Sequence, residues 1–83
     1  MQLEIIIKKS DQGYYLYMPE RETYLYAYYT GIIKPELVIK ESETKLVIRG
    51  TVYFTIEEAR FIGKEYFKRL GGKSKIESPE PLL

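Results

Sequence analysis

Apolar and polar positions alternate through the first half of the chain, and the pattern predicts strands. Leu3-Glu4-Ile5-Ile6-Ile7-Lys8 is rich in β-branched residues and reads as a first strand. Ser10-Asp11-Gln12-Gly13 has the chemistry of a turn, and Tyr14 to Met18 forms the second strand. Pro19 ends that strand, and Pro19-Glu20-Arg21-Glu22 links it to a third over Thr23 to Tyr29. Thr30-Gly31 and Lys34-Pro35 bound the next connection. A fourth strand is expected over Glu36 to Lys40, a hairpin loop over Glu41 to Thr44, and a fifth strand over Lys45 to Phe54 with a bulge or bend at Gly50.

The period then changes. Thr55-Ile56-Glu57-Glu58 is a capping box, in which the Thr55 hydroxyl accepts from the Glu58 amide and the Glu58 carboxylate reaches back. Ile56, Ala59, Ile62, Gly63, Tyr66, Phe67 and Leu70 recur at helical spacing, and Gly71-Gly72 ends the run. Gly63 implies a close approach of helix to sheet, since glycine otherwise costs a helix about 1 kcal/mol. The expected fold is α+β: an antiparallel sheet of four to five strands followed by one C-terminal helix packed on one face. Residues 1–72 make the single domain and 73–83 a flexible tail.

Strand pairing sorts the side chains. Across Pro19–Glu22, Met18 falls opposite Thr23, Tyr17 opposite Tyr24, Leu16 opposite Leu25 and Tyr15 opposite Tyr26. Across Ser10–Gln12, Ile7 falls opposite Tyr14, Ile5 opposite Leu16 and Leu3 opposite Met18. Both pairings gather Leu3, Ile5, Ile7, Tyr14, Leu16, Met18, Leu25 and Ala27 on a core face. They gather Glu4, Ile6, Lys8, Tyr15, Tyr17, Tyr24, Tyr26 and Tyr28 on the other. The second hairpin sets Lys40 opposite Lys45 and Glu36 opposite Arg49. That adds Val38, Lys40, Lys45, Val47 and Arg49 to the tyrosine face, and Leu37, Ile39, Leu46 and Ile48 to the core.

Composition removes most chemistry. Apolar residues are 45% and charged residues 30% of the 83, a folded composition for one domain. Cysteine and histidine are absent, so there is no disulfide, no thiolate nucleophile, no zinc–thiolate site and no imidazole base. Glu41 with Glu43, and Glu57 with Glu58, read as solvated loop charges and as helix-dipole partners rather than catalytic pairs. No catalytic residue, metal site or cofactor is expected. The apolar runs are too short to span a membrane, and Met1-Gln2-Leu3-Glu4 lacks the features of a secretory leader, so a cytoplasmic location is expected. The balance of Tyr, Ile, Lys and Glu without Cys, His or Trp suits a thermophilic or viral source.

Net charge is only +1, so nucleic-acid binding has to come from local placement. The tyrosine face supplies it. Tyr15, Tyr17, Tyr24, Tyr26 and Tyr28 offer π faces for bases, with Lys8, Lys40, Lys45 and Arg49 at the margins for phosphates. Single-stranded DNA or RNA is the expected partner, with a homodimer as the expected assembly. Tyrosine is also a favoured strand residue and common at interfaces. Plain sheet stabilisation and a protein-interaction module, antitoxin-like or a virus-encoded inhibitor, therefore stand as alternatives. The acidic, apolar-ended tail Glu77-Ser78-Pro79-Glu80-Pro81-Leu82-Leu83 is a further candidate for a protein contact.

The order of antiparallel strands then one helix, over Leu3 to Leu70, resembles the Whirly and positive-cofactor class of single-strand DNA-binding proteins. That likeness implies a dimer through the helix and a nucleic-acid face on the strands. Asp11-Gln12-Gly13-Tyr14-Tyr15 with Pro19-Glu20 resembles the opening hairpin of HicB-type antitoxins, and Thr55-Ile56-Glu57-Glu58-Ala59 resembles their helix start. Between Arg21 and Gly50 the chain departs from that family by extra strands.

Overall fold

The computed structural model describes residues 3–71 and 75–77. Strands β1 (Glu4–Ser10), β2 (Gly13–Met18), β3 (Thr23–Thr30) and β4 (Glu36–Ser42) precede helix α1 (Ile56–Leu70) and a short β5 (Lys75–Glu77). The sheet order is β4-β3-β2-β1-β5. β1 to β4 run antiparallel to their neighbours, and β5 lies parallel to β1. The expected α+β layout is the observed one. Residues 75–77 were expected in a flexible tail and instead extend the sheet. Residues 78–83, with the acidic, apolar end of that tail, lie outside the described residues.

The helix stripe packs on the face the alternation assigned to it. Ile5, Ile7, Leu16, Met18, Leu25, Ala27 and Ile39 from the sheet meet Ala59, Ile62, Tyr66 and Phe67 from α1. Leu3, Tyr14, Leu37 and Ile56 are half-buried at its margin. Leu70, the last residue of the expected stripe, is exposed. Both arms of the capping box form: Glu58 N–H donates to Thr55 Oγ1 at 3.1 Å, and Thr55 N–H donates to Glu58 Oε1 at 2.8 Å. At the far end Gly71 N–H donates to Phe67 and Lys68 carbonyls. Thr55→Ala is expected to cost about 1 kcal/mol in a urea melt, the usual loss for an N-cap.

Three pairings differ from expectation. β1 and β2 pair Ile7 with Leu16 and Lys9 with Tyr14, two residues away from the expected register. The cause is local: Ser10 pairs with Gly13 around a two-residue turn, with Ser10 Oγ donating to Gly13 O and accepting from Gln12 N. An even slip leaves every side chain on its face, so the sorting survives.

β2 and β3 pair only at Tyr17–Tyr24 and Met18–Thr23. Beyond that they part, and neither Leu16–Leu25 nor Tyr15–Tyr26 forms. The chain at 51–54 fills the gap. Thr51 exchanges both backbone hydrogen bonds with Ala27 on β3, and Phe54 exchanges both with Tyr14 on β2. Both bridges are antiparallel. Because β2 and β3 run in opposite directions, no straight segment is antiparallel to both, so the chain bends between Thr51 and Phe54. Thr51 Oγ1 stabilises the bend by donating to Tyr53 O and accepting from Tyr53 N.

The expected fifth strand over Lys45–Phe54 therefore does not form. β4 continues through Glu41 to Ser42, and residues 43–50 cross the tyrosine face as an irregular strap. Hydroxyl-mediated turns occupy the strap's backbone: Thr44 N–H donates to Ser42 Oγ, and Leu46 N–H to Thr44 Oγ1. The rejected hairpin would also have set Lys40 against Lys45, a like-charge cross-strand pair. Leu46 and Ile48, assigned to the core by that hairpin, are instead 90% and 109% exposed.

Candidate nucleic-acid interface

The register places Tyr24, Tyr26 and Tyr28 of β3 opposite Ser42, Lys40 and Val38 of β4. Tyr17 and Tyr15 of β2 sit opposite Ile6 and Lys8 of β1. All five expected tyrosines thus share the face turned away from α1. Tyr17 and Tyr24 rings lie 5.2 Å apart between centroids, Tyr15 and Tyr24 5.8 Å, all tilted. Tyr26 and Tyr28 stack at 6.2 Å with 25° between their planes. These are ordinary attractive aromatic geometries.

Tyr53 joins this set, edge-on to Tyr15 at 6.3 Å. It was absent from the expected face. The signal existed, because Tyr53 has the same parity as Lys45, Val47 and Arg49.

The expected cations also converge. Lys45 Nζ sits 3.9 Å from the Tyr15 centroid and 5.5 Å from that of Tyr24. The Arg49 guanidinium lies 5.2 Å from the Tyr28 ring, and Lys8 Nζ 5.3 Å from Tyr17. Lys40 is exposed beside Tyr26. Four cations thus share a face on which the register of β1 to β4 places two acids, Glu4 and Glu36, so positive charge outnumbers negative there on a chain of net charge +1.

The face is not bare, however. All five tyrosines are half-buried; the strap lies over Tyr15, Tyr24 and Tyr28 and beside Tyr26, while Lys8 of β1 lies by Tyr17. Lys45 and Arg49 lie over the rings and Val47 is half-buried, while Leu46 and Ile48 alternate outward. Among the described residues, residues 43–50 make no backbone–backbone hydrogen bond to the sheet. Side chains alone hold the strap down. A hollow of about 430 Å³ stays open between the stacked Tyr26 and Tyr28 and the strap's Val47 and Arg49, with Glu41 and Ser42 also in its lining. Clefts that take small ligands run from about 300 to 1,000 Å³.

The carboxylates divide. Glu43, Glu57 and Glu58 are exposed, as expected of solvated charges. Glu41 is not a loop residue. It is the penultimate residue of β4, on the helix side, and accepts from Arg21 Nη1 at 2.5 Å, from Thr23 Oγ1 at 2.8 Å and from the Tyr66 hydroxyl. Among the described residues no cluster of acidic side chains is placed to hold a metal ion, and no helix is long and apolar enough to cross a membrane. Compared with models of known protein families, with curated proteins and with solved structures, the chain matches none.

Proposed function

We propose that this chain is a non-enzymatic binding protein that takes single-stranded DNA or RNA on its tyrosine face with little sequence preference. The observation that carries this reading is the stacked Tyr26–Tyr28 pair beside an open hollow, with Arg49 on the ring and Lys40 at the margin. The strap is compatible with it on energetic grounds. A partly exposed cation–π contact contributes about 0.5–1 kcal/mol, and a base stacked on an aromatic ring about 1–3 kcal/mol. An entering base therefore outcompetes Lys45 or Arg49 for the ring. The displaced cation becomes free to meet the phosphate that arrives with the base.

A titration with a labelled oligonucleotide tests this. Binding is expected at low salt and to weaken as salt rises. Tyr26→Ala is expected to weaken it about 5- to 150-fold, the loss of one stacked base. Arg49→Ala and Lys45→Ala are expected to flatten the salt dependence. No binding at low salt, where phosphate attraction is least screened, would sink the proposal.

One observation favours a second reading, a protein-interaction module of the antitoxin or inhibitor kind. The strap's outer side carries Leu46 and Ile48 in open solvent, which suits a protein partner better than a nucleic acid. Under that reading Ile48→Asp, not Tyr26→Ala, abolishes partner capture.

A further inference from the structure

The end of the sheet where β3 turns into β4 carries both a projection and a cavity of apolar character. The connection Gly31–Pro35 presents Ile32 and Ile33, each 98% exposed, followed by Lys34. Immediately behind it, Tyr29 pairs with Leu37. These two residues line a cleft of about 500 Å³ between β3–β4 and the first turns of α1, with Phe61 and Ile62 on the helix side. Tyr29 is 69% and Phe61 54% exposed, so the lining itself faces water. Glu57 and Glu58 stand at the cleft's helix end. Glu58 is engaged in the capping box, whereas Glu57 and Lys34 form no ion pair among the described residues.

Apolar surface of this extent is unusual on a soluble monomer and marks a contact site. The chain itself offers the complement: an apolar, basic knob and an apolar, acid-edged cleft. They are adjacent, so a two-fold axis beside the β3–β4 turn lets each copy insert its knob into the other's cleft simultaneously. We infer that this chain forms a symmetric dimer in which Ile32 and Ile33 of each copy enter the cleft lined by Tyr29, Leu37 and Phe61 of the other, with Lys34 meeting Glu57. The inference is independent of what the tyrosine face binds. Its contacts lie on the β3–β4 turn and the cleft beside α1, so the dimer leaves the strap and the rings beneath it as they are in the monomer.

Sedimentation of the full chain over a dilution series tests it. Wild type is expected to sediment at twice the chain mass. Ile33→Asp is expected to sediment as a monomer with an unchanged circular dichroism spectrum and cooperative melt, since a fully exposed side chain holds nothing in the fold. Phe61→Glu, on the cleft side, is expected to do the same. Lys34→Glu sets like charges together at two symmetric contacts and is expected to raise the dissociation constant about tenfold. Adding Glu57→Lys in the same chain is expected to restore it. A wild-type monomer, a dimer indifferent to Ile33→Asp and Phe61→Glu, or a charge swap that fails to rescue would each overturn the inference.

Discussion

Replacing Gly50 by alanine is expected to cost the fold about 2–5 kcal/mol, a large share of the stability of so small a domain. Gly50 sits at φ +85°, where an L side chain adds about 1–2 kcal/mol of backbone strain. It also passes unusually close to β3. A Cβ there would lie 2.3 Å from the Ala27 carbonyl oxygen and 2.9 Å from its carbon. That oxygen accepts from Thr51 N–H at 3.0 Å, and Ala27 N–H donates to Thr51 O at 3.0 Å. Relieving the overlap means moving the strap away from β3, and that movement breaks the bridge where the chain fills the gap between β2 and β3. Gly71 supplies the control. It is also left-handed, at φ +70°, but a Cβ there meets nothing within 4 Å. Gly71→Ala is therefore expected to lose only the strain, about 1–2 kcal/mol. Urea unfolding of the two variants beside wild type separates collision from strain. Equal losses would show that the close approach of Gly50 to Ala27 carries no energy.

The contrast between the two halves of the chain explains what could be read from the sequence. Which face each residue of β1 to β3 occupies depends only on parity. That is why a register wrong by two residues at Ile7 still put Ile5, Ile7, Leu16, Met18 and Leu25 in the core and Tyr15, Tyr17, Tyr24, Tyr26 and Tyr28 opposite. The helix was legible because Thr55 and Glu58 satisfy each other within one turn. The strap was not legible. The alternation from Lys45 to Arg49 is the same whether the segment pairs with β4 or lies flat over the sheet. What decides is the gap between β2 and β3, where the backbone groups of Tyr14 and Ala27 that face it bond to Phe54 and Thr51 instead of to the neighbouring strand. That is a long-range fact, and no local pattern encodes it. The same path put Lys45 and Arg49 over the rings on the expected face, by a route other than the expected hairpin.

Glu41 escaped sequence reading for a related reason: its partners are 18, 20 and 25 residues away. Removing it is expected to cost about 2–3 kcal/mol. Glu41→Ala strips the acceptor from the Tyr66 hydroxyl, which lies on a residue only 8% exposed, and from the half-buried Thr23 hydroxyl. A buried donor left without an acceptor costs about 1–3 kcal/mol. Arg21 is exposed enough to regain water and adds little. The network also sets a pH dependence. Burial by itself raises the Glu41 carboxyl, but hydrogen bonds from Tyr66, Thr23 and Arg21, with the Arg21 charge, outweigh it and hold the group below its ordinary 4.5. A carboxyl depressed by folding contributes its full stability above pH 4.5 and loses it as pH falls from there through the folded value. Burial and the neighbouring Glu41 push the Tyr66 phenol up to about 12 from 10.0. A raised phenol behaves oppositely: its contribution is complete below pH 10 and is lost as pH climbs toward 12. Stability measured by urea unfolding across pH is thus expected to fall at both ends. Glu41→Gln keeps the shape and an acceptor but no longer titrates, so it is expected to flatten the acid limb. Tyr66→Phe is expected to flatten the alkaline limb and, by removing one of the bonds that hold Glu41 low, to make the acid limb shallower in part. If Glu41→Gln left the acid limb unchanged, the acid sensitivity would belong to other carboxylates and the network would be structural without being titratable.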